Sequence, residues 1–304
     1  MAYKAVFIVG PTASGKSAAA VEAAKVIGGE IISADSMQIY KGMDIGTAKP
    51  TEAEMQGIPH HLIGEIEPDE PYSVSLFQKR CLSLIEEITA RGKLPMVVGG
   101  TGLYVNAIVC DLDFAHTSSD DAYREELKAI AAAKGTEALY GMLREASEED
   151  AARIHPNDQK RIIRRLEILH AKKGEGAYDF LKKREGYDFV MAGLTMERAE
   201  LYRRINERVD KMMEAGLVLE VRKLYERYGE GLQSLQAIGY KEIISAIKGE
   251  RSFDEAADEI KKATRNFAKR QMTWFNRDSR IRWFDTLKYP SPDALARDIA
   301  GYIA

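Results

Sequence analysis

Residues 5–17 read AVFIVGPTASGKS, an unbroken apolar run that gives way to glycine and then to lysine. Ala5–Val9 has the length and branching of a strand buried on both faces of a parallel sheet. Gly10–Ser17 matches G-x-x-x-x-G-K-[ST], and the alanine-rich Lys16–Ile27 reads as the helix that follows. Strand, glycine loop and helix together define a phosphate-binding loop made of Gly10, Pro11, Thr12, Ala13, Ser14, Gly15, Lys16 and Ser17. Its backbone N–H groups at a helix N-terminus hold a di- or triphosphate. Lys16 supplies a point charge and Ser17 a hydroxyl ligand for Mg²⁺.

The pattern continues outward from this loop. Glu30–Asp35 and Leu94–Gly99 read as further strands, Ser73–Arg91 as an amphipathic helix, and a helix begins near Thr101. Strands alternating with helices imply an α/β fold, a P-loop NTPase-like parallel sheet with helices on both faces. Leu94–Gly99 does not end in the acid that would hold Mg²⁺ in a phosphoryl-transfer enzyme; it runs into Gly100, Thr101 and Gly102. The acid instead is Asp35, at the end of the preceding strand. Ligands collect at the carboxyl ends of parallel strands, which makes Asp35 and Thr101 neighbours of the loop. Asp35 is then a general base or an outer partner of Mg²⁺, or alternatively a turn cap within ADSMQ; Thr101 is a hydroxyl donor, a helix N-cap, or both. The loop binds polyphosphate, and diphosphate could equally be a leaving group.

Beyond residue 115 the strand-like runs stop. Ala122–Lys134, Glu137–Ala146 and Pro156–Lys173 carry helical spacing, and Tyr187–Leu194 reads as a strand returning to the sheet. Residues 116–186 are therefore expected to be an all-helical domain inserted between 1–115 and 187–304 of one catalytic core. Helices at 197–215, 235–248 and 254–275, a short WFD strand and a last helix complete the chain.

The 304 residues are 45% apolar and 30% charged with net charge −3, which excludes wholesale disorder. The average hides two cationic stretches. Lys160–Arg184 has nine Lys/Arg against three acids, and Lys261–Arg282 has eight against one, leaving −16 for the remainder. In the second and just beyond it, Phe267, Trp274, Phe275, Trp283 and Phe284 interleave with the charges. Such stretches are either a phosphate-backbone footprint with bases stacked on aromatics, or solvated helix faces over core aromatics. Leu94–Cys110, the longest uncharged stretch, is broken by Pro95, Gly99, Gly100 and Gly102, so no membrane span is expected. The N-terminal apolar run is too short for a signal peptide, and the two cysteines, Cys81 and Cys110, read as buried thiols, so a cytoplasmic setting is expected. His60, His61 and His155 fit capping or packing roles.

Taken together, GPTASGKS (10–17), ISADSMQIYKGMDIGTAKP (32–50), VGGTGLY (98–104), RIHPNDQKRIIRRLE (153–167), RINERVDKM (204–212), AIGYKE (237–242) and KRQMTWF (269–275) resemble the tRNA dimethylallyltransferase family over nearly the whole chain. The resemblance implies dimethylallyl diphosphate as donor, Mg²⁺ as cofactor, and the exocyclic amine of adenosine 37 in the tRNA anticodon loop as acceptor. It implies catalytic roles for Asp35 as base, and for Thr101, Lys16 and Arg208, with Arg204 as a second diphosphate candidate. It assigns tRNA contacts to Asp35, Ser36, Met37, Gln38 and Thr101, and to Arg124. In the inserted domain it assigns them to Gln159, Lys160, Arg161, Ile162, Ile163 and Arg164. In the C-terminal region they fall on 236–241, including Lys241, and on 269–276, including Lys269, Arg270 and Trp274. Asn276 departs from the basic residue that many relatives carry there. The protein is expected to be a monomer. The nearest rival, an adenylate isopentenyltransferase acting on free AMP, ADP or ATP, shares the loop and Asp35 but has no need of HPNDQKR or two basic segments. A small-molecule P-loop kinase and a nucleotide-gated RNA-binding module are the remaining alternatives.

Overall fold

A computed structural model describes residues 3–112, 121–171 and 183–303. The expected boundary at 115/116 and Lys172, Lys173 and Lys182 of the first basic stretch lie outside these residues. The chain runs β1 (Tyr3–Val9), α1 (Lys16–Ile27), β2 (Gly29–Ser33), α2 (Glu52–Met55), β3 (His60–His61), α3 (Val74–Ala90), β4 (Leu94–Gly99) and α4 (Gly102–Val109). A helical segment follows, α5 (Asp121–Ala146), α6 (Glu148–Arg153) and α7 (Gln159–Ala171). The chain then returns as β5 (Tyr187–Thr195), α8 (Arg198–Glu214), α9 (Leu217–Tyr228), α10 (Tyr240–Ile247), α11 (Phe253–Phe275), β6 (Ile281–Asp285) and α12 (Pro292–Ile303).

The six strands form one parallel sheet in the order β3-β2-β4-β1-β5-β6. Ala5–Val9 is fully buried, as a central strand covered on both faces requires. On one face Val6, Ile8, Met96 and Leu194 pack against Ala19, Ala20, Ala23 and Ala24 of α1 and Leu295 and Ile299 of α12. The small side chains of α1 explain its alanine-rich sequence: they let the helix lie close to the sheet. The opposite face carries Phe7, and Phe77 of α3 stacks on Tyr104 of α4 at 4.2 Å between ring centroids. From β1 the chain crosses to β2 on one side of β4, returns to β4, and later adds β5 on the other side of β1. That reversal opens a crevice at the carboxyl ends of β1 and β4.

Two compact units result, Met1–Cys110 with Lys183–Ala304, and Asp111–Lys182. Where the first unit is interrupted, Cys110 and Lys183 form an antiparallel bridge. Arg184 donates to the carbonyls of Ala107, Ile108 and Cys110 at 2.9–3.2 Å, closing the C-terminus of α4. Arg184 therefore serves the fold, although it belongs to a cationic stretch whose charges read as either a phosphate footprint or solvated helix faces. Helix α9 has no counterpart among the expected elements, yet its buried Leu217, Val221 and Leu224 recur at helical spacing. The expected helix 235–248 is instead a 3₁₀ turn at Ser234–Gln236 followed by α10, because Glu242 turns back to accept the Gly239 N–H at 2.8 Å and starts a new helix.

In the helical unit, α5 bends at Gly135 (φ +80°), between the two helices that the spacing anticipates. Leu127, Leu139, Leu143, Ile162, Ile163 and Leu166 form its core. Ile162 and Ile163, expected among the tRNA contacts, have side chains buried in that core; they are the apolar stripe of an amphipathic α7. That helix starts three residues later than Pro156, where Asp158 accepts the Arg161 N–H at 3.2 Å. The Glu167 side chain, 3% exposed, accepts from Arg124 at 2.5 and 3.1 Å and from Arg164 at 3.2 Å, while Arg165 pairs with Asp150 at 2.7 Å. Removing one partner leaves part of a buried carboxylate unsatisfied. We expect Arg124→Ala to cost about 1–3 kcal/mol of stability by urea denaturation, an effect that a purely RNA-contacting arginine would not produce.

Candidate active site

At the carboxyl ends of β1, β2 and β4 lies a cleft of 410 Å³ whose walls include Thr12, Lys16, Ser17, Asp35, Gln38, Thr47–Pro50, Gly100, Arg208, Phe267 and Gln271. The loop begins at Gly10 with φ +140°, where a Cβ would stand 2.4 Å from the Leu194 carbonyl oxygen, so only glycine lets β1 turn beneath β5. Ala13 packs with Met196, Leu201, Ile205 and Ala268, which clamps the loop between α8 and α11. Lys16 donates to the Pro11 carbonyl at 2.5 Å. Burial, aided by the Arg208 charge and opposed by Asp35, pushes Lys16 down to about 7. Burial lowers Arg208 too, against the pull of Glu54. Arg208 reaches Thr12 Oγ1 at 3.4 Å. Arg208 and a lysine whose charged form a bound anion would favour, set in a desolvated cleft over a nest of N–H groups, form a site for a compact polyanion. Arg204, the second diphosphate candidate, does not line the cleft; its guanidinium donates to Glu200 at 2.7 Å.

Asp35 lies two residues past the end of β2, beyond the strand in which the sequence places it. It leaves the sheet because its Oδ1 accepts the N–H groups of Met37 at 2.8 Å and Gln38 at 3.3 Å, turning the backbone. The cap role and the site role therefore coexist. Burial raises the pKa of Asp35, and those two N–H donors and Lys16 only partly offset it. The result is a carboxylate with one oxygen fixed, next to a cationic loop. Thr101 does not line the cleft; its N–H donates to the Ala34 carbonyl at 3.4 Å, and its side chain makes no capping bond to α4. Among the described residues no group of three His, Cys, Asp or Glu is placed to hold a metal. His60 bonds the Ile58 carbonyl and His61 bonds Glu30.

Gln271, which the resemblance places only within the tRNA-contacting stretch 269–276, closes the cleft. Its Oε1 accepts the Thr12 N–H at 2.8 Å and its Nε2 donates to the Gly100 carbonyl at 2.9 Å, with the side chain buried. A Cβ on Gly100 would meet Gln271 Nε2 at 2.1 Å, and one on Gly102 would meet the Trp274 indole at 2.3 Å. The glycines of VGGTG thus receive Q and W of KRQMTWF. Gln271 sits among lysines and arginines in the sequence; the signal that singles it out is its phase with buried Ala268 and Phe275 on α11.

On the opposite side of that helix Lys269 and Arg270 are exposed, and Lys241 is exposed on α10. Arg270 stacks over Phe267 at 5.8 Å. Other members of the cationic run are engaged: Lys261 pairs with Asp210, Arg265 with Asn206, and Arg280 with Asp278. Phe275 and Phe284 are buried in the core and cannot stack on bases; Trp283 packs over Gly193. The segment is part footprint and part scaffold. Gly102→Val should displace the Trp274 indole. With only two tryptophans in the chain, we expect an altered emission spectrum and loss of activity; unchanged emission would contradict this packing.

Comparison with known proteins places this geometry. The sequence model described as IPP transferase matches residues 38–278, and the model described as isopentenyl transferase matches residues 3–65. A tRNA dimethylallyltransferase of Geobacillus kaustophilus is 50% identical over 306 aligned residues, covering 100% of this chain and 97% of the relative. One from Carboxydothermus hydrogenoformans is 49% identical over 291 residues, covering 95% and 94%. The crystal structure of the full-length tRNA isopentenylpyrophosphate transferase of Bacillus halodurans superposes with a TM-score of 0.73 at 46% identity, covering 99% of this chain and 97% of that one. A eukaryotic dimethylallyltransferase captured acting on tRNA superposes with a TM-score of 0.82 at 29% identity, covering 97% and 77%. With its full length matched at this identity, the chain belongs to the IPP transferase family.

Proposed function

We propose that the protein transfers the dimethylallyl group of dimethylallyl diphosphate to the exocyclic amine of adenosine 37 in tRNA and releases diphosphate. The observation that carries this reading is the pairing of a P-loop with Asp35 in place of an acid at the end of β4. Cleaving the allylic C–O bond puts positive charge on the prenyl carbons and negative charge on diphosphate. The loop amides, Lys16 and Arg208 stabilise that departing anion, and they cost little reorganisation because Gln271 and Thr12 already fix the loop. The adenine amine becomes nucleophilic as Asp35 accepts its proton, and the free Oδ2 side of the carboxylate is the acceptor because Oδ1 is held by Met37 and Gln38. The adenine must leave the anticodon-loop stack to reach Asp35. Lys269, Arg270 and Lys241 supply exposed cations for the RNA backbone, and Trp274 a ring beside Gly102.

The residues fit Mg²⁺. Ser17 is exposed on the cleft wall beside the phosphate-binding loop, and its hydroxyl would give Mg²⁺ a hard oxygen ligand. When bound there, Mg²⁺ would supply charge neutralisation for the leaving group. Among the described residues no helix is long and apolar enough to cross a membrane, and a tRNA substrate fits a cytoplasmic enzyme. The free-nucleotide reading is disfavoured, since the relatives matched over the full length are named for tRNA.

Incubating the protein with Mg²⁺, dimethylallyl diphosphate and either unmodified tRNA or AMP, followed by nucleoside mass spectrometry, should yield prenylated adenosine from tRNA; prenylation of AMP alone would overturn the proposal. Asp35→Asn should lower kcat by about 10²–10⁴-fold with little change in tRNA affinity, and proportional losses of both would remove Asp35 from the chemistry. Because burial raises the Asp35 pKa, its carboxylate is protonated at a higher pH than an ordinary aspartate. The kcat of the native enzyme should therefore fall as pH is lowered through a limb above the usual aspartate range, and that limb should be missing from the residual activity of Asp35→Asn.

A further inference from the structure

Glu220, on the first turn of α9, does not line the cleft, yet three consecutive backbone N–H groups converge on it. Its Oε2 accepts from Asp44 at 3.0 Å and Ile45 at 2.7 Å, and its Oε1 accepts from Gly46 at 3.1 Å and from the Tyr240 hydroxyl at 2.7 Å. Tyr240 is fully buried against Gly46, where a Cβ would meet its ring at 2.5 Å. The DIGTAKP and AIGYKE segments are thus joined through one carboxylate that belongs to neither. Immediately after the captured amides come Thr47–Pro50, which wall the cleft. Their carbonyls are tied onward: Gln38 Nε2 donates to Thr47 and Ala48 oxygens at 3.2 Å each, Gln38 Oε1 accepts from Ser33 Oγ at 3.0 Å, and the Gln38 N–H bonds Asp35 Oδ1. Ala48 sits at φ +49°, a conformation that an alanine holds only where its surroundings over-determine it.

We propose that Glu220 is a positioning residue for the transfer reaction, anchoring residues 44–46 so that the 47–50 wall and, through Gln38, the Asp35 carboxylate are held in register with the phosphate-binding loop. The inference rests on the function proposed above. A carboxylate is needed because four donors face it; the amide of a glutamine would present its own N–H₂ to them. Acting through Asp35 and the wall rather than on RNA or diphosphate directly, Glu220 governs turnover and not substrate affinity.

The test compares wild type with Glu220→Gln in steady-state prenylation of unmodified tRNA, normalised to folded enzyme, alongside filter-binding of tRNA and amide hydrogen exchange over residues 44–50. We expect kcat to fall about 10- to 100-fold while the donor KM and tRNA Kd stay within about threefold, and exchange at residues 44–46 to accelerate. An unchanged kcat per folded enzyme, or a loss carried by KM and Kd, would overturn the assignment. If Glu220→Gln does not fold, Tyr240→Phe removes only the hydroxyl donor. It should lower kcat about two- to fivefold with the same split, and an unchanged kcat would overturn the assignment. A wild type that prenylates no tRNA defeats the proposed function, whereas unaltered exchange in Glu220→Gln defeats the anchor, so the two failures are distinct.

Discussion

The buried amide of Gln271 is the contact on which the cleft depends. It accepts from Thr12 in the phosphate-binding loop and donates to Gly100 at the end of β4, so one side chain from α11 fixes the spacing of two neighbouring strand ends. A loop of consecutive N–H groups holds a polyanion only if its backbone is already shaped. The loop is shaped from below by the sheet and Leu194, from the side by Ala13 among α8 and α11, and from above by Gln271. The glycines at 100 and 102 are required by what lies on them, the Gln271 amide and the Trp274 indole. Because α11 also displays Lys269 and Arg270 outward, the helix that carries exposed cations is the one that closes the donor cleft.

A second constraint is how charge is divided between scaffold and surface. Arg184, Arg165, Lys261, Arg265 and Arg280 all belong to the two cationic stretches, and each is engaged by a carbonyl, a carboxylate or an amide of the chain itself. Surface pairs of this kind contribute little stability individually. The half-buried ones, Arg124 and Arg164 on Glu167 and Arg165 on Asp150, instead fix the geometry of the helical unit. Net charge per segment overstates what is available to a polyanionic partner, and the remaining exposed lysines and arginines define the surface more sharply.

Most of the sheet was legible in the sequence because central parallel strands are continuous apolar runs and the loop after β1 has only one common physical meaning. The helical unit was legible from its spacing, with Gly135 breaking α5 between the two expected helices. Asp35 and Arg208 were legible as cleft residues, the first from its place after β2 and the second from the family resemblance. Arg204 was not separable from Arg208 by sequence, since only the structure shows which of two arginines one turn apart is engaged by Glu200. Ile162 and Ile163 were drawn into the RNA list by a contiguous motif, although a helix alternates its faces within such a motif. Glu220 left no local signature and Gln271 only its phase with Ala268 and Phe275, because each acts on backbone N–H groups more than 170 residues away in the chain. Partners that are main-chain atoms leave no residue type to read.

The reaction proposed for this architecture is departure of a diphosphate from carbon, with the phosphate-binding loop serving the leaving group. Lys16 and Arg208 lie together in a desolvated cleft suited to a compact polyanion, and among the described residues the Asp35 carboxylate beside them belongs to no cluster of metal-ligating groups. Dimethylallyl diphosphate labelled with ¹⁸O at the bridging position tests this directly when it is turned over with unmodified tRNA and the released diphosphate is weighed by mass spectrometry. Label retained in diphosphate, with prenylated tRNA as the other product, is the predicted result. Label recovered in dimethylallyl alcohol, which requires breaking the P–O bond, would contradict it.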